Sequence, residues 1–165
     1  MTSFKDTVPD IDRRAKVFDG ARLVGDVTVG AHCGIWYNVV IRGDMAPVKI
    51  GARTNVQDGA IIHTDANQPT IIGEDVTIGH GAIIHAARVE RGALIGMGSI
   101  VLNGAIVGEE ALVAAGALVP PGKRVPPRTL VVGNPMRVVK ELGENDIEDI
   151  RKNKDFYVRL LEDYA

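Results

Sequence analysis

The feature that most constrains this chain is a period of six. Hexads counted from Ile11, Val17, Leu23, Val29, Ile35, Ile41, Ile50, Val56, Ile62, Ile72, Ile78, Ile84, Val89, Ile95, Val101, Val107, Val113 and Val119 open on Ile, Val or Leu in all 18 cases. Two further columns follow the same count. Position five is mostly small (Ala21, Cys33, Thr54, Ala60, Ala82, Ala93, Ser99, Ala105, Ala111, Ala117), and position four is Gly, Asn or Asp in 13 of 18. A fixed repeat of this kind reads as a solenoid of stacked units. Positions five and one then point inward from short strands, while position four turns a corner at positive φ, which suits Gly and, less well, Asn and Asp. Three hexads close one triangular coil. The expected fold is an all-β solenoid, a parallel β-helix of about six triangular coils, followed by a C-terminal α-helix.

The repeat slips three times. Three residues are inserted after Ile41, four are inserted after Ile62, and one is missing after Ile84. All three slips fall at the third hexad of a coil, so one corner carries the irregularity, and irregular connections are where function concentrates.

The flanks divide the chain. Residues 1–10 are expected to form an N-terminal cap over the open end of the stack, and residues 11–125 the β-helix. Residues 126–144 read as linker and turns, with Pro126, Pro127 and Gly133-Asn134-Pro135 ending the repeat. From 145 to 165 the period becomes helical, through Ile147, Ile150, Tyr157, Leu160, Leu161 and Tyr164, with Asn145 as N-cap and Glu148 three residues on. This helix should lie against the outside of the prism. A net charge of −2 with no basic patch argues against nucleic acid. No apolar stretch of about 18 residues spans a membrane, and the first ten residues lack a secretory pattern, so the expected location is cytoplasmic. Cys33 is the single cysteine. It occupies the small, inward position and reads as core rather than as a nucleophile.

His63 and His85 both hold position two of a third hexad in successive coils. They should stack at about 4.8 Å and point outward, where two imidazoles can share a metal at Zn–N distances of about 2.0–2.1 Å. His80 stands at the corner before the same strand, roughly 16 Å along the chain from His85. A neighbouring chain in a threefold assembly solves this, because the start of one subunit's face then meets the end of the next. Each metal takes His63 and His85 from one chain and His80 from its neighbour, leaving one coordination position open, the catalytic pattern. Arg42 extends the first edge, being one coil before His63. Gln57 and Asp58 extend the second, with Asp58 below His80. His32 and Asp44 fall in the corner column, Phe18 and Trp36 share an outward column expected to meet the helix or a neighbour, and Lys49 and Arg53 are expected in solvent.

The run Arg42-Gly43-Asp44, Asn55-Val56-Gln57-Asp58-Gly59 to His63, then Gly79-His80 and His85, resembles the γ-class carbonic anhydrase family over nearly the whole chain. The general rule on parallel crossovers favours a right-handed coil; the resemblance implies a left-handed parallel β-helix. It also implies a homotrimer with Zn2+ (Fe2+ or Co2+ as alternatives) at subunit interfaces, held by His63, His80 and His85. Gln57 would lie near the metal-bound water, and Arg42 with Asp44 in the interface. The implied reaction is reversible hydration of CO2 to bicarbonate. Hexapeptide acyltransferases use the same fold, and a metal-dependent thioesterase or a low-activity scaffold subunit are further alternatives. The chain departs from some members in one respect. Asp44 is followed by Met45-Ala46-Pro47 and not by an acidic loop, and the turn after His63 offers only Asp65, so proton export is expected to be slow.

Overall fold

A strand of two residues cannot hold itself, so each rung of this fold depends on the rungs above and below it. The computed structural model describes residues 1–164, a parallel β-solenoid of about seven turns with one C-terminal helix. One face stacks Lys16–Val17, Gly34–Ile35, Asn55–Val56, Thr77–Ile78, Leu94–Ile95, Leu112–Val113 and Thr129–Val132. A second face, which carries the histidines, stacks residues 22–24 and 40–42 on Ile61–His63, Ile83–His85, Ile100–Val101 and Leu118–Val119. The third stacks Asp10–Ile11, residues 27–29 and 48–50, Thr70–Ile72, Arg88–Val89, Ile106–Val107 and Arg124–Val125.

The columns of the repeat become the layers of the core. Every position-five residue named above is buried, as are the position-one residues from Leu23 to Val119. The two before them are exceptions, Ile11 half-buried and Val17 40% exposed, because their rungs are terminal and no coil lies beneath them. At the N-terminus, Thr2 donates to the Leu23 carbonyl at 2.9 Å, and Asp10–Ile11 pairs with Thr28 and Val29.

Two of the three corners behave as the position-four column requires. His32, Asn38, Arg53, Asp75 and Glu110 all sit at φ between 53° and 58°, and the matching glycines at similar values. The third corner differs from the expectation in the lower coils, although Gly104 and Gly122 turn it at φ 67° in the upper ones. Arg22–Val29 and Val40–Ile50 are long strands that run straight through it, so Asp44 is not a corner residue. Gly25 pairs with Gly43 and Val27 with Val48, leaving Asp26 alone opposite residues 44–47. The three inserted residues are therefore absorbed as a wide bulge within a strand, which re-aims the side chains on it.

Arg53 and Glu110 hold a strained φ that costs roughly 1 kcal/mol or more for a non-glycine residue. Their side chains explain why they stand there, and Arg53, exposed as expected, is also ion-paired. Arg53 Nε donates to Asp75 at 2.9 Å, and Asp75 also pairs with Lys154 of the helix at 2.9 Å. Burial pushes the Asp75 carboxyl up, but the bonds from Arg53 and Lys154 outweigh it and hold the group below its usual value. Glu110 accepts from Arg151 at 2.6 Å. The strained corner is the seam on which the helix docks.

The helix runs Glu144–Asp163 and buries Ile147, Ile150 and Leu161. Ile147 and Ile150 meet the outward Leu94, Leu112 and Leu130 of the first face. Its cap is Gly143 and not Asn145, which lies inside the first turn. The Asp146 carboxylate reaches back to the Gly143 N–H at 3.0 Å, the return arm of a capping box displaced by two residues. Phe18 stacks on Trp36 at 4.5 Å, and Tyr157 and Tyr164 meet Trp36 edge-on. The last expected helical residue, 165, lies outside those described.

Pro126 and Pro127 do not end the repeat, because Thr129–Val132 adds a further rung. In each lower coil the residue at the Pro126 position donates its N–H to the next coil up, as Gly108 does to Val125. Pro126 directly follows Arg124–Val125, the uppermost strand of its face, where among the described residues no further coil is left to accept. Residues 137–141 then fold back antiparallel on Thr129–Val132. No helix among the described residues is long and apolar enough to cross a membrane.

Candidate functional site

The register of the second face places Arg42 opposite His63 and His63 opposite His85, as the repeat requires. All three side chains point away from the core. His63 Nδ1 and His85 Nε2 face each other at 3.1 Å. The far nitrogen of His63, Nε2, lies 3.0 Å from Asp44 Oδ1, and the other Asp44 oxygen takes a hydrogen bond from Arg42. The strand bulge turns Asp44 back onto the histidine edge. Its burial works to raise the carboxyl pKa, but the bonds from His63 and Arg42 outweigh that and hold it below the ordinary value. An ionised carboxylate only accepts, so His63 carries its proton on Nε2 and presents a lone pair at Nδ1.

His85 Nδ1 lies 2.8 Å from Asn103 Oδ1, and Asn103 Nδ2 donates to Asp65 Oδ2 at 2.7 Å. Asp65 Oδ1 accepts the Ala66 N–H at 2.8 Å, so this carboxylate serves both the turn and Asn103. Sequence reasoning missed Asn103. It gave no signal, because its bond to Asp65 joins residues 38 apart, across two coils.

His80 stands on the other edge of the face, before the corner at Gly81, while His85 ends the strand Ile83–His85. His80 Nδ1 is 2.8 Å from Asp58 Oδ2, and Asp58 Oδ1 accepts the Tyr37 N–H at 3.2 Å. The Asp58 carboxylate thus fixes His80 as the Nδ1–H form and leaves Nε2 free. Gln57 is buried and donates to Asn55 Oδ1 at 3.0 Å; with His80, Leu94, Met97 and Tyr157 it lines a groove of about 410 Å³. The residues singled out by sequence therefore fall into two groups, Arg42, Asp44, His63 and His85 on one edge, and Gln57, Asp58 and His80 on the other. Among the described residues no three His, Cys, Asp or Glu side chains converge within one chain as a metal-holding group.

His32 sits in its corner at φ 56°. Cys33 is fully buried and its thiol is pushed up to about 11, chiefly by burial, which suits a core residue and not a nucleophile.

No protein-family model matches the chain. A carbonic anhydrase of Geobacillus kaustophilus is 48% identical over 155 residues, covering 94% of this chain and 85% of that protein. The mitochondrial gamma carbonic anhydrase 1 of Arabidopsis thaliana is 39% identical over 166 residues, 97% of this chain and 60% of the plant protein. A solved Bacillus cereus protein, described as a candidate acetyltransferase, superposes with a TM-score of 0.97 at 43% identity, over 99% of this chain and 95% of its own. Similarity that runs from end to end, on a solenoid whose histidines and carboxylates occupy the expected register, places this chain in the γ-class carbonic anhydrase family.

Proposed function

We propose that the chain catalyses the reversible hydration of CO2 to bicarbonate as a cytoplasmic homotrimer, at a metal held by His63 and His85 of one chain and His80 of its neighbour. The observation that carries this is the 3.1 Å approach of His63 Nδ1 to His85 Nε2. Two nitrogens of a tetrahedral zinc at Zn–N of about 2.0–2.1 Å lie roughly 3.3 Å apart. The pair is thus already spaced as two corners of such a site, and Zn2+, Fe2+ or Co2+ all accept imidazole ligands. A metal there supplies Lewis acidity, bringing the pKa of bound water from 15.7 to about 7.

The residues around it hold the ligands and leave an open side. Asp44 fixes the His63 ring and Asp58 fixes His80, each by a carboxylate on the nitrogen turned away from the metal position. Gln57 brings a polar amide to the His80 edge of the groove. The outward column of the histidine face supports assembly, since Val40, Ile61, Ile83, Ile100 and Leu118 line it and Ile61 is 42% exposed. The first face is covered by the helix, whereas this one has no cover from the described residues of its own chain, and a second copy would give it one.

Hydration adds the elements of water to CO2 and releases one proton. Among the described residues, the acids beside the histidine edge are already engaged and none is free to carry that proton away. Asp44 is engaged by His63 and Arg42, Asp65 by Ala66 and Asn103, and Met45-Ala46-Pro47 offers no acid. We expect slow turnover that rises with the concentration of an imidazole-type buffer, measured by stopped-flow CO2 hydration on protein of known metal content. Fast turnover independent of buffer would overturn the reading of the proton path.

Arg42 is 45% exposed at its side chain in one chain, so Arg42→Ala should act mainly through assembly and through Asp44, which it leaves with His63 alone. The expected result on size exclusion is a trimer that dissociates at concentrations where the unaltered protein stays whole. A trimer unchanged at low micromolar concentration would place Arg42 outside the interface.

The likeness to the Bacillus cereus candidate acetyltransferase supports acyl transfer as a second reading. Acetyl-coenzyme A turnover by metal-stripped protein would favour it, because that chemistry does not need the three histidines.

A further inference from the structure

Each imidazole has a partner on the nitrogen away from its neighbour, and the three partners are not alike. Asp44 and Asp58 are carboxylates, while His85 meets the neutral amide of Asn103. An amide can turn either end to a ring nitrogen, so by itself it does not fix a tautomer. Asp65 removes that freedom. Its carboxylate accepts only, so the Asn103 NH2 must face it at 2.7 Å, and the Asn103 oxygen must face His85 Nδ1 at 2.8 Å. His85 Nδ1 must then donate, and the lone pair is driven to Nε2, toward His63 Nδ1.

The irregular corner explains how Asp65 reaches. It stands in the segment lengthened by four residues after Ile62, and the corner of the next coil, at Ala86 and Ala87, is the one that is a residue short. The long turn crosses above the shortened corner and meets Asn103 one coil further on, where Gly104 donates to the Ala86 carbonyl at 2.7 Å. An insertion and a deletion one coil apart thus combine into a single contact.

We infer that Asp65 and Asn103 are positioning residues that act through His85, holding it as the Nδ1–H tautomer so that its Nε2 lone pair and that of His63 Nδ1 face a common centre. The assignment to metal binding rests on the function proposed above; the assignment of the tautomer does not. Removing such an outer partner lowers metal affinity by about 10- to 100-fold.

The test uses the full-length protein in two measurements. Long-range 15N–1H correlation spectra of the metal-free protein report which ring nitrogen of His85 carries the proton, and chelator competition reports zinc affinity. Asp65→Asn is the informative variant, because an amide at 65 can still accept the Ala66 N–H while no longer dictating how Asn103 turns. Asn103→Leu removes the acceptor outright. Both should lose the Nδ1–H signature and bind zinc about 10- to 100-fold more weakly. The exchange Asp65→Asn with Asn103→Asp should restore both, since the carboxylate at 103 then accepts from His85 and the amide at 65 donates to it. His85 remaining the Nδ1–H tautomer in both single variants would overturn the inference. An unaltered protein with the Nδ1–H signature but no zinc binding would uphold the positioning role and overturn the metal reading instead.

Discussion

Mixing a His80→Ala chain with a His63→Ala chain should restore metal sites that neither variant has alone. Each variant is expected to be inactive by itself, because every site of the proposed trimer would lack one ligand. The two histidines stand on opposite edges of one face, His80 before the corner and His63 paired with His85 at the strand ends, so a single chain does not bring them together. In a mixed cyclic trimer, an interface that joins the His63–His85 edge of a His80→Ala chain to the intact His80 edge of a His63→Ala chain is complete. Random assortment of equal amounts makes about a quarter of interfaces of this kind. Refolding the mixture and measuring zinc per chain together with CO2 hydration checks this. Mixed trimers that recover neither would mean that the ligands are not shared between chains.

Gly43→Ala is expected to damage both stability and the proposed metal site. A Cβ at residue 43 would lie 2.1 Å from the Asp26 carbonyl oxygen and 2.8 Å from its carbon. Both are backbone atoms of the facing strand, and the strand cannot rotate out of the way as a side chain would. Relief requires the two strands to part where Asp26 opposes the bulge, between Arg42 and Asp44, which carry the His63 contact. Overpacking of this kind costs about 1–3 kcal/mol and sometimes more. Denaturant unfolding should show that loss, with weaker zinc binding than the loss of stability alone explains. Unaltered stability would mean that the strands part more easily than their backbone contact suggests.

Why some of this was legible in the sequence is a matter of distance along the chain. The histidine register follows directly from the period, since residues one coil apart must stack, and Arg42, His63 and His85 do. The pairing of Asp58 with His80 follows for the same reason. The corner column into which Asp44 falls does not hold there, because the hexad count assumes a corner where the strand in fact continues. The seventh rung was hidden by Pro126, which breaks a repeat only where another coil needs its N–H. Asn103 was invisible, because the contact that defines it is made by a turn that skips a coil, and no fixed spacing encodes that. Arg53 is exposed as its position suggests, but its ion pair is not legible from the period, because Asp75 takes up both Arg53 and Lys154 only when the helix docks.

The uppermost coil carries a consequence for how long such a molecule can be. A stack of identical parallel rungs is self-templating, and its exposed end offers the same hydrogen bonds to a foreign chain as to the next coil of its own. Here that end is blunted on each face by a different device. Pro126 withholds a donor on the third face, Arg137–Glu141 runs the wrong way along the helix-covered face, and Gly133 and Met136 fold over Leu118 on the histidine face. Growth into a fibre would have to undo all three, so the same period that makes the fold easy to extend is stopped at a definite length by the residues of its last coil and the segment that follows it.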